Sequence, residues 1–82
     1  MIPVITDANY KSGYQIWLRF SDGSEGVVDL KNELEGEIFE PLKDVGYFKT
    51  FSVHKELHTL TWPNGADFSP EYLYGLTRPK AA

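Results

Sequence analysis

The clearest structural signal in the chain lies in residues 14–30, which read YQIWLRFSDGSEGVVDL. Apolar and polar residues alternate in the first part of this stretch, which is typical of a β-strand with one apolar face. The apolar face of the predicted strand carries Tyr14, Ile16, Leu18 and Phe20. The opposite face carries Gln15, Trp17 and Arg19, and it is either covered by helices or exposed.

The dipeptide Asp22-Gly23 follows this strand and predicts a hairpin with a two-residue turn, because both residues tolerate the positive φ angles that such a turn requires. The returning strand then covers residues 25–30. Three pairs of residues face each other in this register, namely Leu18 and Val27, Trp17 and Val28, and Ile16 and Asp29. The last pair places a carboxylate near the apolar face, where it must find hydrogen-bond donors or water.

Shorter patterns on either side of the hairpin predict three more strands. Alternating residues predict one strand before the hairpin, over residues 2–7, and two after it, near residues 51–54 and 58–62. Pro3 cannot donate a hydrogen bond to a neighbouring strand, so the first strand starts or borders the sheet there. Lys55-Glu56-Leu57 predicts the turn between the last two strands.

Two short helices are predicted in the second half of the chain. Apolar residues at a spacing of three form one stripe and predict a helical segment with a kink at Gly46; they are Phe39, Leu42, Val45 and Phe48. Ser69-Pro70-Glu71 predicts the start of the last helix, with Ser as its N-cap and Pro in its first position. The apolar side of that helix consists of Tyr72, Leu73 and Leu76.

These elements predict an α+β fold, a small and mostly antiparallel sheet of about five strands with two short helices packed on one face. The 82 residues are enough for one domain and too few for two. We expect the core of this domain to span residues 2–76, and residues 77–82 to form a frayed tail.

Composition excludes several classes of function. The chain has no cysteine, which excludes a thiolate nucleophile and a cysteine-ligated zinc site. The net charge is −4 and the basic residues, Arg19, Arg78 and six lysines, are scattered, so we expect no direct binding of nucleic acid. Apolar runs are no longer than about three residues, which excludes a membrane-spanning helix. Residues 1–20 lack the pattern of a signal peptide, so we expect a cytoplasmic protein.

The residues with catalytic or metal-binding potential are few. His54 and His58 have the spacing of a zinc-binding pair, with Glu56 as a third ligand, but the order His-Lys-Glu-Leu-His differs from the metalloprotease motif and the context predicts a hairpin. Asp29 and Asp67 either cap backbone N–H groups or form an acid–base or magnesium pair. No nucleophile motif and no phosphate-binding loop is present. We expect no cofactor, no metal and no enzymatic activity.

The two tryptophans allow different interpretations. Trp17 shares a strand face with Gln15 and Arg19, and Trp and Arg are enriched at protein-binding hot spots. Alternatively, Trp17 packs against Val28 and Leu30 under a helix. Trp62 is predicted to lie in the core, with its indole N–H bonded near the turn that follows it.

The sequence resembles one known family. The block Trp62-Pro63-Asn64-Gly65-Ala66-Asp67 is similar to the closing signature of the domain-of-unknown-function 2442 family of small bacterial and archaeal proteins. Earlier pieces agree, including residues 18–23, 28–30 and 39–44, and the resemblance spans residues 2–76. It implies a compact α+β domain without an established activity. Some relatives resemble this domain followed by a helix-turn-helix, and others resemble the smaller partner in arrangements similar to toxin–antitoxin pairs.

Two functional hypotheses follow. In the first, the chain is a non-enzymatic interaction module that binds a protein partner or itself, as in a dimer, in a toxin–antitoxin-like or regulatory context. It does so through a sheet edge or through the face of Gln15, Trp17 and Arg19. The candidate binding residues are Trp17, Arg19, Asp29, Trp62, Asn64 and Asp67. In the second, the chain is a small-ligand or metal-binding domain that uses Asp29, Asp67 and the two histidines.

Overall fold

Five strands lie in two antiparallel sheets in the computed structural model, which describes residues 3–77. Strands β1 (Ile5–Ser12), β2 (Gln15–Phe20) and β3 (Glu25–Asp29) form a three-stranded sheet in the order β1-β2-β3. Strands β4 (Ser52–Val53) and β5 (Leu60–Thr61) form the second sheet. Ile2, which we place in the first strand, and residues 78–82 of the predicted tail lie outside the described residues. Thr77, the first residue of that predicted tail, is the last residue of the final helix.

The helical segments complete an α+β fold with about five strands, as the sequence predicts. The strands form two sheets, of three and two strands, in place of the single sheet that we expect from the sequence. They are a 3₁₀ turn (Lys31–Glu33), a 3₁₀ helix (Glu37–Lys43), helix α1 (Val45–Phe48) and helix α2 (Pro70–Thr77). The spacing of three in the apolar stripe fits the three residues per turn of a 3₁₀ helix. The predicted kink at Gly46 is wrong, since the helices are separated at Asp44, which is extended and accepts a hydrogen bond from the Gly46 N–H at 3.2 Å.

The first hairpin has a loop of three residues, so the predicted register is wrong by one. The Phe20 N–H donates to the Ser24 carbonyl at 2.8 Å, and Gly23 has a φ of 89°. Ile16 therefore faces Val28, Trp17 faces Val27 and Gln15 faces Asp29. Because side chains alternate along a strand, a slip of one residue moves every side chain of β3 to the other face of the sheet. Asp29 is thus exposed and lies away from the apolar face where we expected it.

One face of the three-stranded sheet carries the core. Its fully buried residues Ile16, Leu18, Phe20 and Val28 lie in one cluster with Leu42, Phe48, Leu60 and Leu73 from the helices and the second sheet. Helix α2 begins as predicted, with the Ser69 hydroxyl accepting from the Tyr72 N–H at 3.2 Å. Only Leu73 of the three predicted apolar residues is buried, since Tyr72 and Leu76 are 45% and 39% exposed.

Candidate functional site

The second face of the three-stranded sheet is exposed or half-buried throughout, and we call it the open face. Its residues are Asp7, Asn9, Gln15, Trp17, Arg19, Glu25, Val27 and Asp29. Antiparallel pairing arranges them in rows across the three strands. One row contains Asp7, Arg19 and Glu25, the next contains Asn9, Trp17 and Val27, and the third joins Gln15 to Asp29.

Trp17 and Arg19 lie together at the centre of the open face. The Arg19 guanidinium carbon lies 5.3 Å from the centroid of the Trp17 ring, within the range of a cation–π interaction. The same guanidinium lies 3.4 Å from a Glu25 carboxylate oxygen and 4.0 Å from an Asp7 oxygen. These ion pairs are half exposed and contribute little to stability. Their effect is to keep the guanidinium beside the indole.

The prediction that Trp17 packs against Val28 and Leu30 under a helix is wrong. Both of those residues are buried on the core face. Trp17 instead lies beside Val27, which is 46% exposed. An indole, a guanidinium and an aliphatic side chain are therefore adjacent on one accessible surface. Trp and Arg are the residues that protein-binding hot spots favour.

Asp29 lies at the end of β3, on the open face. One carboxylate oxygen accepts from the Lys31 N–H at 3.0 Å, which is the capping role that the sequence offered as one alternative. A shallow pocket of about 270 Å³ borders this carboxylate. It is lined by Ser12, Gly13, Tyr14, Gln15, Asp29 and Lys31.

Trp62 is buried in the core, as predicted, but its indole N–H has a different partner from the one expected. It donates to the Phe48 carbonyl at 2.8 Å, at the end of α1, and not to the turn that follows Trp62. Asn64 lies in that turn and has two bonds: its side-chain oxygen accepts from the Ala66 N–H at 3.0 Å, and its amide donates to the Ile38 carbonyl at 2.9 Å. Both residues join elements of the fold together.

Asp67 is exposed and pairs with Thr61 through the main chain. Within residues 3–77 its carboxylate accepts no hydrogen bond, so the predicted capping role holds for Asp29 and is wrong for Asp67. Asp29 belongs to the three-stranded sheet and Asp67 adjoins β5 of the other sheet. The two carboxylates share no hydrogen-bond donor in the part of the chain that the structure describes.

The histidines lie at the turn between β4 and β5, as the hairpin interpretation predicts. His54 Nδ1 accepts from the N–H groups of Glu56 and Leu57 at 3.1 and 3.0 Å, so this ring nitrogen closes the turn. His58 has a φ of 54° and donates its N–H to the His54 carbonyl at 2.8 Å. Among residues 3–77, no three side chains of His, Asp or Glu are grouped as metal ligands.

Four residues of the open face were missed by sequence reasoning: Asp7, Asn9, Glu25 and Val27. Val27 was assigned to the wrong face because the register was wrong by one. Asn9 was missed because β1 extends to Ser12, beyond the predicted end of that strand at residue 7. Asp7 lies within the predicted strand, but an irregularity in the pairing between Ile5 and Asp7 places it on the face opposite the buried Ile5. The alternation of Ala8 and Tyr10, which pack against the core, is the signal that could have found them.

These observations define a small α+β domain with one face of its main sheet uncovered. Comparison of the sequence with known families gives a match over residues 5–79 to the family described as Protein of unknown function (DUF2442). The chain belongs to this family, as the resemblance predicted. No curated protein and no solved structure matches it. Within residues 3–77, no helix has the length and apolar character needed to cross a membrane.

Proposed function

We propose that this domain is a non-enzymatic interaction module that binds a protein partner or itself through the open face. The observation that carries the proposal is the adjacency of Trp17, Arg19 and Val27 on an accessible surface. Trp17 and Arg19 have restricted freedom there, because the guanidinium is tied to the indole and to Glu25. Side chains that are ordered before binding lose less entropy when a partner covers them.

The charge of the chain supports a protein as the partner. With a net charge of −4, the domain repels the phosphates of nucleic acid. The toxin–antitoxin-like or regulatory context and a bacterial or archaeal source belong to the same proposal and rest on the family resemblance alone. A cytoplasmic setting also belongs to the proposal, as an expectation from the sequence.

The experiment is co-expression of the full chain with the product of the neighbouring gene, together with light scattering of the chain alone. Capture of that product or formation of a dimer is expected, and Trp17→Ser should weaken either one by about tenfold or more. Leu57→Ser is the matched control, because Leu57 is 54% exposed in the turn between β4 and β5, outside the open face. A chain that stays monomeric and captures nothing would contradict the proposal, and so would equal effects of the two variants.

A further inference from the structure

The outer edge of β3 is a row of main-chain groups without partners in the described part of the chain. The Ser24 carbonyl and the Leu30 N–H bond to the main chain on the β2 side, at 2.8 and 2.9 Å. Bonding alternates along an antiparallel strand, so the N–H and C=O groups of Glu25, Val27 and Asp29 point away from β2. No main-chain hydrogen bond from residues 3–77 reaches these three residues.

The opposite edge of the sheet, formed by β1, is covered at one end. At the start of β1, the Ile5 N–H donates to the His58 carbonyl at 2.9 Å, so the turn between β4 and β5 covers that end. An uncovered strand edge is a template for the pairing of another strand. Extended peptides bind such edges through main-chain hydrogen bonds, while alternate side chains supply specificity.

The side chains of β3 indicate what the added strand must carry. Glu25, Val27 and Asp29 all lie on the open face and form an acidic–aliphatic–acidic series. The row of Asp7, Arg19 and Glu25 alternates in charge across the sheet, so a cation in the next strand continues the alternation. Opposite charges on directly facing residues stabilise strand pairing. In the same way, an apolar residue facing Val27 extends the row that contains Trp17.

We propose that the edge of β3 binds an extended protein segment of the pattern basic–x–apolar–x–basic, which joins the sheet as a fourth strand. The basic residues face Glu25 and Asp29, and the apolar residue faces Val27. Because the series on β3 is symmetric about Val27, the pattern fits in either strand direction. This inference rests on the proposed function and names the chemistry of the partner.

A second copy of the chain fits this edge poorly. Pairing of β3 with β3 of another copy about Val27 sets Glu25 against Asp29 at both ends. A shift of four residues sets Glu25 against Glu25 or Asp29 against Asp29. A shift of two sets Val27 against Glu25 or Asp29 in both strands and so loses the apolar pair. Like charges that face each other directly across two strands are destabilising. The acidic residues therefore select against self-pairing and for a basic segment.

The test uses the full chain and two labelled synthetic peptides whose central residues are Lys-Thr-Val-Thr-Lys and Glu-Thr-Val-Thr-Glu. Fluorescence anisotropy should show binding of the basic peptide and at least about tenfold weaker binding of the acidic one. Binding should weaken as salt rises from about 50 to about 300 mM, since Glu25 and Asp29 are exposed. The amide resonances of Glu25, Val27 and Asp29 should shift on binding in NMR spectra.

A charge-reversed variant, Glu25→Lys with Asp29→Lys, should reverse this preference and bind the acidic peptide more tightly. The control is Glu35→Lys with Glu37→Lys, which changes the net charge equally at two exposed residues of the segment before α1. Equal binding of both peptides, loss of binding in the control, or an unchanged preference in the charge-reversed variant would overturn the inference. Val27→Pro removes the central outward N–H, whereas Val27→Ala keeps it and shortens the same side chain. A dimer abolished by Val27→Pro but kept by Val27→Ala would place a second copy at the edge and also overturn the inference.

These results separate the inference from the proposed function. If the basic peptide does not bind, while partner capture or dimerisation still depends on Trp17, the inference about the β3 edge is wrong and the open face remains the proposed binding surface. If the peptide binds but neither partner capture nor dimerisation depends on Trp17, the β3 edge is supported as a binding surface and the open face is not.

Discussion

Two turns of this chain, residues 20–24 and 62–66, share one backbone geometry. In each, the N–H of the first residue donates to the carbonyl of the fifth, at 2.8 and 2.9 Å. The glycine in the fourth position has a φ of 89° in one turn and 91° in the other. The Asp or Asn before it accepts a hydrogen bond from the N–H of the fifth residue, at 2.9 and 3.0 Å.

The turns differ in what their central side chains reach. The second carboxylate oxygen of Asp22 accepts from the Tyr74 hydroxyl at 2.8 Å and thereby joins the first hairpin to α2. The Asn64 amide donates to the Ile38 carbonyl at 2.9 Å and joins the second turn to the 3₁₀ helix. Either residue suits the turn itself, so the partner selects between them: a hydroxyl donor suits Asp, and a carbonyl acceptor requires the amide of Asn.

The largest expected difference in the free energy of unfolding is between substitutions at the first position of each turn, where Phe20 and Trp62 are both buried. Trp62→Phe removes the bond to the Phe48 carbonyl as well as core volume, and should lower the free energy of unfolding by about 2–4 kcal/mol. Phe20→Leu removes volume and the edge-to-face contact with the Tyr74 ring, but no hydrogen bond, and should cost about 1–2 kcal/mol. Urea unfolding followed by circular dichroism measures both. Equal losses would show that the indole N–H contributes nothing specific.

The glycines of the two turns should respond alike. No atom lies within 4 Å of a Cβ added at Gly23 or Gly65, so Ala is opposed only by the positive φ. Each substitution should cost about 1–2 kcal/mol of unfolding free energy in the same assay. Gly75→Ala is the control, since Gly75 lies within α2 with open space around it, and there Ala should stabilise by about 0.5–1 kcal/mol. A clear difference between the two turn variants would break the equivalence of the turns.

The first of these turns also marks the limit of what the sequence could predict. Asp22-Gly23 suits a two-residue turn and equally a three-residue loop in which only Gly23 takes a positive φ. The longer loop is closed by Asp22, which accepts from both the N–H and the hydroxyl of Ser24, at 2.9 and 2.6 Å. The hairpin was therefore predictable from local alternation. Its register depended on hydrogen bonds of one side chain, which periodicity does not contain.

The candidate site was likewise predictable only where it depends on local sequence. Alternation correctly placed Trp17 and Arg19 on one face of β2. Which face the helices cover depends on contacts between distant elements, such as those of α2 with β3, where Thr77 lies against Gly26. The start of α2 was predictable because its N-cap is local. The partner of the Trp62 indole was not, because Phe48 lies 14 residues earlier in the chain.

Exchange of the central residues tests whether the partner selects between Asp and Asn. Asn64→Asp sets a carboxylate against the Ile38 carbonyl, so the bond becomes a repulsion, and we expect a loss of about 1 kcal/mol of unfolding free energy. Asp22→Asn should cost less, because an amide can still accept from the Ser24 N–H and donate to the Tyr74 oxygen. Urea midpoints at neutral pH compare the two variants. A larger loss for Asp22→Asn would reverse the argument.

The smallest expected effect is a dependence of stability on pH, which only the first turn contributes through Asp22. Hydrogen bonds from the Ser24 hydroxyl and N–H, and then from the Tyr74 hydroxyl, hold the pKa of Asp22 below its ordinary value of 3.8. The folded state therefore binds this proton less readily than the unfolded state. The resulting stabilisation is complete above that ordinary value and is lost as the pH falls through the lowered pKa.

The difference in unfolding free energy between the unmodified chain and Asp22→Asn should consequently be constant near neutral pH and shrink below about pH 4. Asn64→Ala provides the control, because Asn64 does not titrate and its difference from the unmodified chain should not change over the same range. Urea midpoints measured between about pH 3 and about pH 7 give both curves. Parallel curves for the two variants would mean that the bonds of Asp22 do not favour its charged form, and the chemical distinction between the two turns would then rest on Asn64 alone.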